Sequence, residues 1–247
     1  MPKHFIRTLT SPTRSHRADV QLGALLAFIA GAVNAGGFLA VGFYISHMSG
    51  IAASVGDALV TNQWQIAIWA GVFLGSFMAG ALTCSLIIQW ALTYQWSTVF
   101  ALPLLLEALL LLGFAVTMVD QMPGPVGMKT GWIVSLLCFI MGLQNAMITN
   151  ISNAVIRTTH ITGVATDIGI ETGRFIASRL IRRKQIDFKP GKLLAHLSLI
   201  ISFIIGGILG AYAFLHVGFV MIIPLAMILG ILAVVPMVDS WWVKKKL

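Results

Sequence analysis

The length of its apolar runs constrains this chain more than any other feature. Segments such as Gln65 to Trp90 and Lys192 to Leu215 stay apolar for roughly 20 residues or more, enough for a helix rising 1.5 Å per residue to cross about 30 Å of hydrocarbon. Hydrophobic residues fill 58% of the 247 positions and charged residues 10%, against about 25% charged in an ordinary soluble domain. A water-soluble fold has nowhere to hide that much apolar surface. A closed β-barrel would need short segments of alternating polarity, and "ALPLLLEALLLLGFAV" has no alternation. The expected fold is an all-α polytopic membrane protein.

Charge and cysteine usage narrow the class further. The net charge is +8, but most Lys and Arg fall in three clusters beside apolar spans: Lys3 to Arg17, Arg179 to Lys192, and Lys244 to Lys246. Such clusters mark cytoplasmic loops rather than a nucleic-acid surface. The first residues are basic and polar for longer than a signal peptide's n-region and no cleavage pattern follows, so they read as a retained cytoplasmic tail. Cys84 and Cys138 lie within apolar spans and read as small buried hydrophobes. With no His-x-x-x-His or clustered Cys, no metal or cofactor is expected.

Two stretches of the chain resemble each other. "GAVNAGGFLAVGFYISHMSGIAASVG" and "GLQNAMITNISNAVIRTTHITGVATDIG" share Gly-x-x-Asn-Ala at Gly31 and Gly142, then Ser/Thr-His-Met/Ile-Ser/Thr-Gly, ending at Gly56 and Gly169. Asn34 thus corresponds to Asn145 and His47 to His160. A weaker likeness links "FLGSFMAGAL" with "FIIGGILGAYA". The expected organisation is a basic tail (1–20), a first membrane repeat (21–119), a connecting loop (120–130), a second repeat (131–238) containing a basic linker (181–192), and a basic tail (239–247). About six full spans are expected, the first from about Gln21 to Ser46, together with two short or broken helices, one per repeat, at His47 to Val60 and His160 to Leu180. Three spans in each half make the repeats inverted. If both short segments also crossed, the halves would be parallel with the same clusters inside. The first short segment, at about 21 Å, falls below the hydrocarbon thickness and favours six.

Polar residues inside a bilayer are costly and mark sites or pairings. Asn34, His47, Ser49, Asn145, His160 and Thr162 surround the two Ser/Thr-His-x-Ser/Thr-Gly turns and form the candidate substrate site. A helix starting at such a turn offers unpaired N–H groups to an anion. The competing reading of each His is a cap or carbonyl partner at the break. Asp57, Glu107 and Glu171 are candidates for proton or ion coupling. Glu107 sits among leucines, so it either works as a carrier or pairs with a cation such as Arg157. Asp167, Glu171 and Arg174 share one helix face and also fit a solvated surface. Trp64, Trp90, Trp96, Trp132, Trp241 and Trp242 near span ends suit an interfacial belt. No catalytic motif is present, and no enzyme activity is expected.

The patterns "NAGGFLAVGFYISHMSG", "GLQNAMI" and "RTTHITGVATDIGIETGR" resemble those of the YoaK-like family of bacterial inner-membrane proteins, domain of unknown function 1275, from about Val20 to Val238. Many members of that family have Asp where Asn34 stands here, and Asn-Thr where this chain has Ile51-Ala52. The resemblance implies a multi-pass inner-membrane fold and carries no activity. The resulting expectation is a small secondary transporter or permease with its site between the repeats, its termini cytoplasmic, and the lipid bilayer and a small-molecule substrate as partners. The alternative is a membrane-embedded binding or assembly factor that moves nothing. Glycine faces at Gly71 and Gly75 and at Gly206 and Gly210 suit either internal packing or a homo-oligomer.

Overall fold

A computed structural model describes residues 16–96, 98–118, 128–151, 161–180 and 187–244. Among these there is no strand, as expected where the solvent supplies no hydrogen bonds and each helix satisfies its own backbone. The helices are α1 (His16–Val41), α2 (Met48–Val60), α3 (Trp64–Thr93), α4 (Ala101–Met118), α5 (Met128–Ile151), α6 (Ile161–Leu180), α7 (Pro190–Val217) and α8 (Ile222–Lys244). Five stretches are long and apolar enough to cross a membrane. The last of these, Pro190–Asp239, is two helices joined by a 3₁₀ turn at Gly218–Met221. This is a helical membrane protein, and it carries shorter helices besides its spans.

The breaks have local causes. α1 ends at Val41, short of the Ser46 expected, because Gly42 takes φ 75° and its N–H closes on the Phe38 carbonyl at 2.8 Å. The apolar residues after it belong to a turn, which hydropathy alone does not separate from the helix. Gly218, at φ 58°, ends α7 in the same manner and donates to the Phe214 carbonyl. Pro190 sits in the first turn of α7, where its missing N–H costs nothing.

The most extensive helix contacts exchange the two sequence halves: α1 packs on α7, and α3 on α5. Each contact is backbone on backbone. A Cβ at Gly31 would strike the Phe203 carbonyl and one at Gly206 the Phe28 carbonyl, while Gly142 meets the Phe77 carbonyl and Gly80 the Phe139 carbonyl. The two sets are the same contact made twice. Phe-Ile-x-Gly at 28–31 and 139–142 receives Ser-Phe-x-x-Gly at 202–206 and 76–80. This register aligns Phe77 with Phe203 and Gly80 with Gly206. Glycine here allows the close approach that small-residue packing supplies when lipid offers no hydrophobic drive. Gly210 is likewise pressed on the Ala32 backbone, whereas nothing lies within 4 Å of a Cβ built at Gly71 or Gly75.

Two further pairs set directions. α4 and α8 run antiparallel: the Phe114 and Phe219 rings meet at 5.2 Å at one end, and Ala108 faces Gly230 further along. α1 and α5 also run antiparallel. Gln144 donates to the Leu26 carbonyl at 3.3 Å, and the Cys138 thiol, earlier in α5, reaches the Ile45 carbonyl beyond the end of α1 at 3.4 Å. Trp64, Trp90, Trp132 and Trp242 are exposed near helix ends, where a membrane–water boundary suits them.

Substitutions at these glycines separate the two roles. Gly80→Ala and Gly206→Ala should each lose about 1–3 kcal/mol through overpacking. Gly71→Ala and Gly75→Ala should be neutral or gain up to about 1 kcal/mol from helix propensity. Thermal unfolding of the detergent-solubilised protein, followed by size-exclusion recovery after heating, reads the difference.

Candidate functional site

Between α1 and α2 the chain makes a turn from Gly42 to His47, held by the Asn34 side chain and by the Cys138 thiol on the Ile45 carbonyl. The Asn34 Oδ1 accepts both the Ser46 backbone N–H and the Ser46 hydroxyl, each at 3.1 Å. Tyr44 stacks on Phe38 with ring centroids 4.3 Å apart. His47 occupies the cap position of α2 but makes no side-chain cap. Its ring instead lies over Gly50, where a Cβ would fall 2.6 Å from Cδ2, so the Ser-Gly following the histidine leaves room for the imidazole. The reading of His47 as a helix cap is therefore not what the structure has.

This turn opens onto a cavity of about 570 Å³. Its walls come in pairs drawn from the two halves: Asn34 and Asn145, Phe77 and Phe203, Met48 and Ile161, Ser49 and Thr162. Tyr44, Ser46, His47 and Thr149 complete the described lining. Of the six residues expected at a substrate site, Asn34, His47, Ser49, Asn145 and Thr162 line this one space. His160 lies outside the described residues, as do Asn153 and Arg157. The cavity floor between the α1–α7 and α3–α5 contacts is aromatic. Phe77 and Phe203 were not among the expected residues, although the Ser-Phe-x-x-Gly pair could have pointed to them.

The two asparagines are satisfied differently. Because a backbone N–H can only donate, the Asn34 atom facing Ser46 is its oxygen, and the amide nitrogen is the end left for the cavity. Asn34 is 7% exposed and its nitrogen makes no bond among the described residues. The Asn145 Oδ1 is buried with no partner among the described residues.

The coupling candidates lie elsewhere. Asp57 is exposed on α2 and does not line the cavity. Glu107 on α4 is fully buried, and neither carboxylate oxygen has a partner among the described residues. It too stands apart from the cavity lining.

Glu171 does not belong to a solvated face. It is fully buried against α7, with Oε1 taking the Arg174 guanidinium at 2.7 Å and Oε2 the Lys189 backbone N–H at 3.2 Å. It thus satisfies a free donor at the start of α7, where a negative charge is also favoured by the helix dipole. Asp167 adds a second tie. One oxygen lies 3.3 Å from Lys192 Nζ and the other 3.6 Å from Nε2 of buried His196. His196 escaped notice because it stands alone in an apolar run. Together these residues clamp α6 to the first turns of α7.

Gln144 is fully buried and bonds the Leu26 carbonyl, joining α5 to α1 beside the cavity. Among the described residues no group of three or more His, Cys, Asp or Glu could hold a metal ion. Cys84 and Cys138 are free and buried.

The family described as "Protein of unknown function (DUF1275)" matches residues 22–235 of the chain. The protein belongs to the DUF1275 family. The match spans both sets of helices, so the paired cavity walls lie wholly within the DUF1275 region. None of the curated proteins and no solved structure matches the chain.

The clamp makes a prediction. Glu171→Ala leaves the Lys189 N–H and the Arg174 guanidinium without their acceptor and should cost about 1–3 kcal/mol, most of it from the unsatisfied backbone donor. Glu171→Gln keeps an acceptor oxygen and should cost less. Chemical or thermal unfolding in one detergent ranks the two; equal losses would show that charge rather than acceptor geometry matters.

Proposed function

We propose that this protein is a small secondary transporter of the cell inner membrane whose substrate occupies the cavity between its two halves. The observation that carries the reading is that polar residues from both halves, picked for their place beside the two broken helices, line one space of about 570 Å³. Duplicated halves with substrate sites on broken helices at their interface are a recurrent transporter architecture. A factor that served only to bind or scaffold another protein would not need a cavity walled by matched residues of both halves. Among the described residues the lining holds no carboxylate to pair with His47 as an acid–base couple.

We further read the halves as inverted repeats. α4 and α8 hold corresponding places in the two halves, as do α1 and α5, and both pairs run antiparallel. Parallel halves would make each pair parallel. On this reading α1, α3, α4, α5, α7 and α8 span the bilayer. α2, with 13 residues and about 20 Å of length, stops short of the far side. The basic tails and the basic stretch before α7 then lie in the cytoplasm. Glu107, a fully buried carboxyl inside a span, is the candidate for coupling to protons, since such a group is costly to keep without a task or a partner.

Accessibility tests both parts without knowledge of the substrate. Cys84 and Cys138 are buried, so introduced cysteines report alone. Ser49→Cys and Thr162→Cys should react with an impermeant thiol reagent from the outside in right-side-out vesicles and from the inside in inverted ones, as alternating access requires. Reaction from a single side would remove transport from the account. Gln95→Cys should label only from the cytoplasmic side and Gln121→Cys only from the periplasmic side; the reverse pattern would replace inverted halves with parallel ones.

A further inference from the structure

The chemistry of the cavity wall identifies the class of substrate. Hydroxyls elsewhere on the helices, those of Thr83, Thr117, Thr149 and Thr166 among them, bond carbonyls three or four residues back in their own helix. That is the usual way a membrane helix satisfies such a group. Ser49 and Thr162 make no such bond among the described residues. Each is the second residue of its helix, α2 or α6, and the turn before Ser49 is not helical. Both line the cavity.

The same wall holds further donors. Ser46 holds the Asn34 oxygen, which leaves the Asn34 amide nitrogen as an unbonded donor on a side chain 7% exposed. The Asn145 oxygen is buried without a partner among the described residues, which leaves its amide nitrogen as the donor the ligand can reach. At the start of α2 the Ser49 and Gly50 N–H groups have no backbone acceptor, whereas Met48 donates to Ser46 and Ile51 to His47. These are the orphan donors of a helix start, where the dipole favours negative charge. No Asp or Glu is present in the described lining. Unspent donors at the Asn34 amide and the start of α2, with no carboxylate in the described lining, are complementary to an anion.

Size and surface say which kind of anion. At about 570 Å³ the cavity falls within the range of small-molecule sites and far exceeds a halide. Phe77 and Phe203 give it two apolar walls. We propose that the site takes a small organic carboxylate, its charged group held by the Asn34 and Asn145 amides, the Ser49 and Thr162 hydroxyls and the start of α2, and its apolar body between the two phenylalanines. This rests on reading the cavity as the substrate site.

Benzoate, benzamide and benzamidine share one ring and differ in charge, so they serve as probes for the full-length protein in nanodiscs, with binding read by calorimetry and by the shift in thermal midpoint. Benzoate should bind saturably, benzamide more weakly, and benzamidine not at all. Asn34→Asp keeps the acceptor for Ser46 but turns a negative oxygen to the cavity, and it should weaken benzoate at least ten-fold. Ser49→Asp places a charge on the same wall at a helix start that tolerates acidic residues; it gives the same readout should the first variant fail to fold. Benzamidine binding as tightly as benzoate, no benzoate binding, or unchanged benzoate affinity in these variants would overturn the proposal. Charge-selective binding combined with one-sided labelling at Ser49→Cys would keep the anion site and discard transport. Two-sided labelling with preference for benzamidine would do the opposite.

Discussion

The rest of the structure depends on the contact between glycine and a carbonyl of the neighbouring backbone. Gly31 and Gly206 bring α1 against α7, and Gly142 and Gly80 bring α5 against α3. Surrounded by lipid, these helices gain nothing from hiding apolar surface, so association has to come from close packing and weak polar contact between backbones. Because each contact joins the first helix of one half to the third helix of the other, neither half is complete alone. The cavity walls are held in place by that exchange: Phe77 and Phe203, whose carbonyls meet Gly142 and Gly31, turn their side chains into the cavity lining.

Where the helices are held that tightly, the broken segments have freedom to carry polar groups. A continuous helix through His47 would spend every N–H on its own carbonyls. The turn from Gly42 to His47 releases the first donors of α2 and replaces the lost contacts with the Asn34–Ser46 bonds. Non-helical backbone within a membrane protein is tolerated where protein buries it or where it borders an aqueous cavity, and this turn does both. The Asn34 oxygen satisfies the buried side, and the open side faces the cavity. α6 is tied differently, through Glu171 and Asp167 to the start of α7. The two halves share an outline while differing in how firmly their short helices are attached.

Much of this was legible in the sequence. Apolar length located the long helices, since nothing competes with hydropathy over twenty residues, and the repeated Asn and His motifs led to Asn34, His47, Ser49, Asn145 and Thr162, which do share one space. The misjudged points are those that depend on long-range contact. The end of α1 was extended because Phe43, Tyr44 and Ile45 are as apolar as the helix before them, and only the backbone of Gly42 distinguishes turn from span. Glu171 looked solvated because its own helix face is charged; its burial comes from the start of α7, eighteen residues on. Phe77 and Phe203 were not expected at the site, because only the pairing of α3 with α5 and α1 with α7 brings them to the cavity.

That pairing also bears on how a chain this small can build a site with two-fold character. A single half could present one asparagine, one phenylalanine and one helix start, which is too few donors to replace the water around a charged group. On the proposed inverted arrangement the second half supplies its set from the opposite direction, so a ligand would be met by donors from both sides. The two sets are alike without being identical: the lining pairs Met48 with Ile161 and Ser49 with Thr162. Near-symmetry of this kind would let the two halves trade places around a fixed ligand with little difference in energy between outward and inward arrangements, which is what the proposed transport requires. A strong local tie on one side alone biases that balance. The carboxylates of α6 are such a tie, holding the second short helix, while among the described residues the first packs on α3 and is entered through the turn that Asn34 and Cys138 hold.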